Sequence, residues 1–222
     1  MANIYLHEVL DLWFEHKVRP RMHGRVFMVR YADDAVLCFE REDDALRVLA
    51  VLPKRLGRFG LALHPDKTRL VEFKRPPREE RRPDRDAAAK PGTFDFLGFT
   101  HYWGRSRKGN WVIQRQTMKA RFSRTLSKIA LWCRKARHLP MREQHRILTM
   151  KLRGHDAYYG ITGNGRALAN LRFFVGRIWM KWLGRRSQRA RMNWKKSNRL
   201  LKRYPLPPPV IVHSIYRRTA NP

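Results

Sequence analysis

The stretch Arg25-VFMVRYADDAVLCF-Glu40 decides how this chain is read. Val26–Tyr31 and Ala35–Glu40 are rich in Val, Phe and Leu, so both are expected to be strands. The link between them is too short for anything but a hairpin, with Asp33 and Asp34 at or near its tip. Adjacent carboxylates repel each other. Such a pair is tolerated in water, as an ordinary polar turn, or against a cation.

Working outward, residues 3–18 are expected to be a helix, because Leu6, Val9, Leu10 and Trp13 recur at i, i+3, i+4 and i+7. The helix opens almost at Met1 with no cap or turn before it, so the chain reads as starting in the middle of a fold. Residues 42–60 form a second helix on which Ala45, Val48, Leu49 and Leu52 share a face. His64-Pro65-Asp66 is a turn, and Leu70–Phe73 reads as a strand. Residues 74–92 are charged and poor in apolar groups, which predicts a long surface loop or linker. Strands are expected over 94–103 and 109–116.

Beyond Thr117 the pattern turns helical. Phe122, Leu126, Ile129 and Cys133 share one face, and further helices are expected over 141–153, 166–183 and 187–204. The prolines of PLPPP (205–209) end the helical run. The fold class is therefore α+β: antiparallel strands with helices over 1–116, then an all-α basic bundle over 117–222.

Charge divides the chain more sharply than pattern does. The formal net charge is +31 over 222 residues. Residues 101–222 hold 30 basic groups against two acids, Glu143 and Asp156, whereas residues 1–100 hold 19 against 16. So strong an excess calls for a polyanionic partner, nucleic acid first and an anionic membrane surface second. A merely solvated face would mix both signs. Arg121, Arg124, Lys128, Arg134, Lys135, Arg185, Arg186, Lys195 and Lys196 are the candidate phosphate contacts. Aromatic residues lie among the charges: Trp103, Trp111, Tyr158, Tyr159, Trp179, Trp182 and Trp194 could stack unpaired bases or fill the core. Trp179 and Trp182 fall in an apolar helix and are read as core.

Cys38 and Cys133 lie inside apolar patterns and are expected to be buried free thiols. No apolar run is long enough to span a bilayer, and the first residues lack the basic leader of a signal peptide, so a cytoplasmic location with no membrane partner is expected.

Seven stretches, spread in order along the chain, resemble one family. RYADDAVLCFE looks like the YxDD box of reverse transcriptases. ANIYLHEVLDLWFE resembles the helix after their glycine-rich nucleotide-pocket motif, GLALHPDKTRLVEF the next palm motif, and FDFLGFTHYW the primer-grip strand pair. LRGHDAYYGITGN, NWKKSNRLLKRYPLPPP and IVHSIY resemble the thumb of group II intron reverse transcriptase–maturases. The resemblance implies RNA-directed DNA synthesis, with help to intron folding and splicing. It implies a partial palm followed by a thumb or maturase domain.

By the same resemblance Asp33 is a magnesium ligand and Asp34 its neighbour. Lys67 sits near the departing pyrophosphate, and Leu97, Gly98 and Phe99 form the primer grip. A glycine there would let backbone approach the primer closely. Structured intron RNA and a template–primer duplex are the implied partners. The family's third catalytic aspartate, fingers and nucleotide pocket have no counterpart among residues 1–33, where Glu8, Asp11 and Glu15 belong to the opening helix. The chain alone is therefore expected to bind magnesium weakly and not to polymerise, with a separate N-terminal palm and fingers fragment as a conceivable partner. The alternative is an RNA-binding, maturase-like chaperone without catalysis.

Overall fold

A computed structural model describes residues 2–76, 92–187 and 192–214. It is α+β, and it divides into two compact units, Met1–Lys74 and Arg75–Pro222.

The first unit opens with α1 (Ala2–Leu6), which continues into two five-residue π-helical segments, His7–Asp11 and Phe14–Val18, and a 3-10 turn, Arg19–Arg21. This corrects the expectation of a plain α-helix. The wider i→i+5 turn gathers residues four and five apart onto one face. Val9, Leu10, Phe14 and Val18 are accordingly the buried positions, so the expectation holds for Val9 and Leu10, while Leu6 and Trp13 are only half-buried. Strands β1 (Val26–Tyr31) and β2 (Asp34–Phe39) form the antiparallel hairpin, in register from Val26 opposite Phe39 to Tyr31 opposite Asp34. Helix α2 (Glu42–Gly57) follows. Asp44, in its first turn, is fully buried and accepts the backbone N–H groups of His23 and Gly24, both at 2.9 Å. Those amides hold its carboxyl below the usual range, so the turn into β1 is tied to α2 by a carboxylate that stays charged.

Alternation places Val26, Met28, Leu37 and Phe39 against the helices, where they join Phe14, Val18 and Val48 in a core. The other face stays open. Phe27, Val29 and Tyr31 are exposed, and so is Cys38, which pairs with Phe27. The expectation of a buried Cys38 is thus overturned: a strand thiol is covered only if its face of the sheet is. Cys133 is buried as expected, and burial pushes its thiol up to about 12. Residues 61–76 form no strand, which corrects the reading of Leu70–Phe73. A turn closes at His64, whose carbonyl accepts from the amides of Lys67 and Thr68. The expected linker at 74–92 lies largely outside the described residues.

In the second unit the stretch read as one strand over 94–103 is two: β3 (Phe94–Phe96) and β4 (Phe99–Arg105), joined at Leu97–Gly98. Both turn residues have positive φ, 50° and 79°, as a two-residue hairpin turn between twisted strands requires. β5 (Trp111–Thr117) completes a three-stranded sheet of order β3-β4-β5. Four helices follow: α3 (Lys119–Lys135), α4 (Met141–Tyr159), α5 (Gly165–Leu183) and α6 (Trp194–Arg203). The last starts later than expected. Residues 188–191 lie outside the described part, and Asn193 caps the helix by accepting from the amide of Lys196 at 2.8 Å.

The bundle core is built on Ile129, Leu148, Leu152, Leu171, Val175 and Trp179. Trp179 is fully buried, with its indole N–H donating to Gln144 Oε1 at 2.9 Å, and Trp182 is half-buried against the same core. After α6 the chain runs back along α4. The Val210 amide donates to Asp156 Oδ2 at 3.0 Å, and the His213 amide donates to the Gly160 carbonyl at 2.8 Å. A side chain at Gly160 would collide with the carbonyl oxygens of Asp156 and Val210, so this close approach demands glycine. Among the described residues, no helix is long and apolar enough to cross a membrane.

Candidate catalytic turn and cationic helical face

The β1–β2 turn is set by Ala32 and Asp33. Ala32 has φ 53°, in the left-handed region that disfavours a Cβ, which costs on the order of 1 kcal/mol. The strain is held in place by Arg30. Its guanidinium donates to the Ala32 carbonyl at 2.8 Å and forms a two-pronged pair with Asp11, at 2.7 and 2.6 Å. Arg30 lies on the helix-facing side of the sheet, and Asp11 ends the first π-helical segment. The guanidinium holds the Asp11 carboxyl below its ordinary value. A charged pair on the covered face therefore fixes a strained turn whose outer residues are the two aspartates.

Asp33 and Asp34 are both exposed, and neither carboxylate makes a hydrogen bond or ion pair within the described residues. By the register, Asp34 shares the open face with Tyr31, Val36 and Cys38. Hard, unengaged carboxylate oxygens on a rigid hairpin suit magnesium. The described residues give them no third acidic or histidine ligand, so the donor set is half a cage. Among the described residues, the one three-residue group within ligand distance is His23, Asp43 and Asp44, where the Asp44 carboxylate is already taken up by backbone amides. Lys67 lies exposed on the His64 turn and bonds to neither aspartate.

In the second unit the Leu97–Gly98 turn lies against the end of α4. The Tyr158 hydroxyl donates to the Leu97 carbonyl at 2.9 Å, and Phe99 stacks on Tyr158 at 5.9 Å. A Cβ on Gly98 would sit 3.0 Å from the Tyr159 hydroxyl. What crowds this glycine is thus a tyrosine of the same unit. Asn164, which is buried, joins the other end of the sheet to the helices. Its Oδ1 accepts the Thr117 amide at 2.9 Å, and its Nδ2 donates to Thr117 Oγ1 and to the Tyr159 carbonyl. The sequence leaves Tyr158 and Tyr159 open between base stacking and core, and gives Asn164, the last residue of the LRGHDAYYGITGN stretch, no role of its own. The one signal was the Gly-Asn-Gly turn of residues 163–165.

Arg121, Arg124, Lys128, Arg134 and Lys135 lie exposed on α3, off its buried Ile129–Cys133 stripe. Arg185 sits over the Trp182 ring at 5.3 Å, and Arg134 at 6.0 Å. Arg186 is employed within the bundle, donating to the His138 and Leu139 carbonyls at 3.1 Å each. Lys195 and Lys196 are exposed in the first turn of α6.

Comparison with known families bears on the first half. Residues 1–101 match the family model described as reverse transcriptase (RNA-dependent DNA polymerase). The matched span carries Asp33, Asp34, Lys67 and the Leu97–Gly98–Phe99 turn. A search of curated proteins finds no match.

Proposed function

We propose that the chain is a reverse transcriptase–maturase component of the group II intron type. In this reading Asp33 and Asp34 supply part of a magnesium site, Lys67 serves the pyrophosphate side, and Leu97–Phe99 grip the primer. The basic helices hold structured intron RNA and the template–primer duplex. The reading assigns residues 1–116 to the palm with its grip and 117–222 to the thumb. The observation that carries it is the reverse-transcriptase match over residues 1–101, which has two unengaged aspartates at the tip of its hairpin. The packing of the Leu97–Gly98 turn on Tyr158 supports treating grip and thumb as one working body.

Magnesium, when bound, would polarise phosphoryl oxygens and lower the barrier to attack by a hydroxyl. The chain's own part is to hold two carboxylates on a strained turn through Arg30 and Asp11. Two carboxylates leave most of the ion's shell to water. The chain alone is therefore predicted to give no template-dependent primer extension in magnesium. Extension that Asp33→Asn abolishes would overturn the expected inactivity and support catalysis by this chain alone. Restoration of extension by a separately supplied palm and fingers fragment would support a divided enzyme.

A binding role without catalysis is favoured by the charge: 30 basic groups against two acids over residues 101–222. Structured-RNA affinity is predicted to fall steeply with salt, because each neutralised phosphate releases counterions. A flat response would remove the RNA-binding reading.

A further inference from the structure

We propose that the groove between α5 and α6 is a subsite for one unpaired nucleotide of RNA, its base in the groove and its phosphates on the rim. This rests on the RNA-binding reading of the basic half and assigns that binding a place.

The groove has a volume of about 650 Å³. That falls in the range of pockets, roughly 300–1,000 Å³, that enclose small organic ligands. Its floor is apolar, formed by Met180, Leu201 and Leu206 with Gly176 between them. An added Cβ at Gly176 would meet only Leu206 Cδ1, at 3.8 Å, which is ordinary contact. Packing does not demand glycine here, and its missing side chain leaves the floor open.

Every charged residue of the lining is a cation, beside the neutral polar Asn193, Ser197 and Asn198. Arg172, Arg177, Lys181 and Arg185 stand along the rim, and no acidic residue does. Arg177, Lys181 and Arg185 follow one another at four-residue spacing along one edge of α5 and into the turn beyond it, and Arg172 stands at the opposite edge. Neither of the two acids in residues 101–222 is available to neutralise them: Glu143 pairs with Arg146, and Asp156 accepts the Val210 amide. Arg172 leans on the Leu206 carbonyl at 3.3 Å, which fixes one guanidinium at the edge.

The third element is aromatic. Trp194, at the first position of α6, is 76 % exposed, and Phe173 is 55 % exposed. Both line the groove. Burial does not account for an indole so exposed in a helix that is otherwise largely charged. Beside it, the positive end of a ten-residue helix favours an anion, although its Lys196 amide is already capped by Asn193. An apolar slot with an exposed indole at its mouth and cations along its edge matches a splayed base flanked by phosphates. A paired duplex would meet the cations but leave slot and indole unused.

The test uses the full chain and two RNA hairpins of equal length, one fully paired and one with a single 2-aminopurine bulge. The expected result is tighter binding of the bulged hairpin with quenched 2-aminopurine fluorescence. Trp194→Ala should weaken the bulged complex by about 5- to 150-fold, the range for loss of one stacked base. It should leave the paired hairpin unchanged, since an exposed side chain contributes little to folding. Arg177→Gln, a second exposed position, should also reduce the preference for the bulge. Salt-sensitive binding of both hairpins with no preference for the bulge, or a preference that neither variant alters, would overturn the groove and leave the wider RNA-binding reading standing. Binding of neither hairpin would overturn both. Equal capture of a bulged DNA hairpin, or displacement of the RNA by poly-glutamate at matched charge, would overturn RNA as the occupant.

Discussion

Replacing Asn164 with alanine should be among the most damaging single changes in the second unit. The side chain is 1 % exposed and makes three hydrogen bonds, two of them to backbone groups of β5 and α4. Truncation leaves the Thr117 amide and the Tyr159 carbonyl without that partner in a place water reaches poorly. The orphaned Thr117 amide costs about 1–3 kcal/mol, and the Tyr159 carbonyl, which keeps the Ile161 amide at 2.9 Å, adds about 1 kcal/mol, so a total of roughly 2–4 kcal/mol is expected. Urea denaturation followed by tryptophan fluorescence and circular dichroism would read it as a lower midpoint. The slope should not change, because the surface exposed on unfolding is nearly the same. Asn164→Asp gives a sharper check. It keeps an acceptor for the Thr117 amide but sets a carboxylate oxygen against the Tyr159 carbonyl, so it should also destabilise at neutral pH. A loss below about 1 kcal/mol for the alanine variant would refute the idea that this side chain joins sheet and helices, since one ordinary net hydrogen bond accounts for that much.

Other perturbations probe separate parts of the argument. The His155 side chain is buried with neither ring nitrogen hydrogen-bonded, its Nδ1 3.9 Å from Asp156 Oδ1, and burial lowers its value from 6.5 to about 4. The unfolded chain then binds the proton more readily, so stability should drop by about 2 kcal/mol between pH 7 and pH 5. His155→Phe, which keeps the ring against Tyr159, should flatten that part of the pH profile; an unchanged profile would rule His155 out as its source. Trp179→Ala should cost about 3–5 kcal/mol in thermal or urea unfolding through the cavity it leaves, and a loss under half of that would contradict its place at the bundle centre. Arg30→Met should destabilise the first unit by about 1–2 kcal/mol by freeing the Ala32 carbonyl and leaving Asp11 with His7 as its one partner among the described residues. Adding Asp11→Leu should recover part of that loss in a double-mutant cycle, and strict additivity would argue against the pair.

Much of the architecture was legible along the chain because it is local. The β1–β2 hairpin follows from two apolar runs joined by a minimal link, and the helices of the basic half follow from apolar residues at helical spacing. The match over residues 1–101 agrees with the reverse-transcriptase resemblance over that span. The aspartates stood out for a local reason too: two like charges side by side at a hairpin tip call for an explanation. The cationic half is a matter of composition alone.

What the sequence could not determine depends on which surfaces meet. Alternation marks two faces of β1 and β2, but only packing shows that the helices cover the Val26–Met28 face, and that choice exposes Cys38. Leu70–Phe73 has the composition of a strand, yet a strand exists only when another edge takes up its hydrogen bonds. The opening helix widens into π-helical turns to bury Phe14 and Val18, an adjustment that helical periodicity does not foresee. Asn164 is 47 residues from Thr117 in the chain, and Arg30 is 19 from Asp11. A hydrogen bond across such a separation exists only once the backbone between has folded. The aspartates were therefore legible from the chain, whereas the side chains that hold their turn, and the groove on the basic half, were decided by tertiary structure.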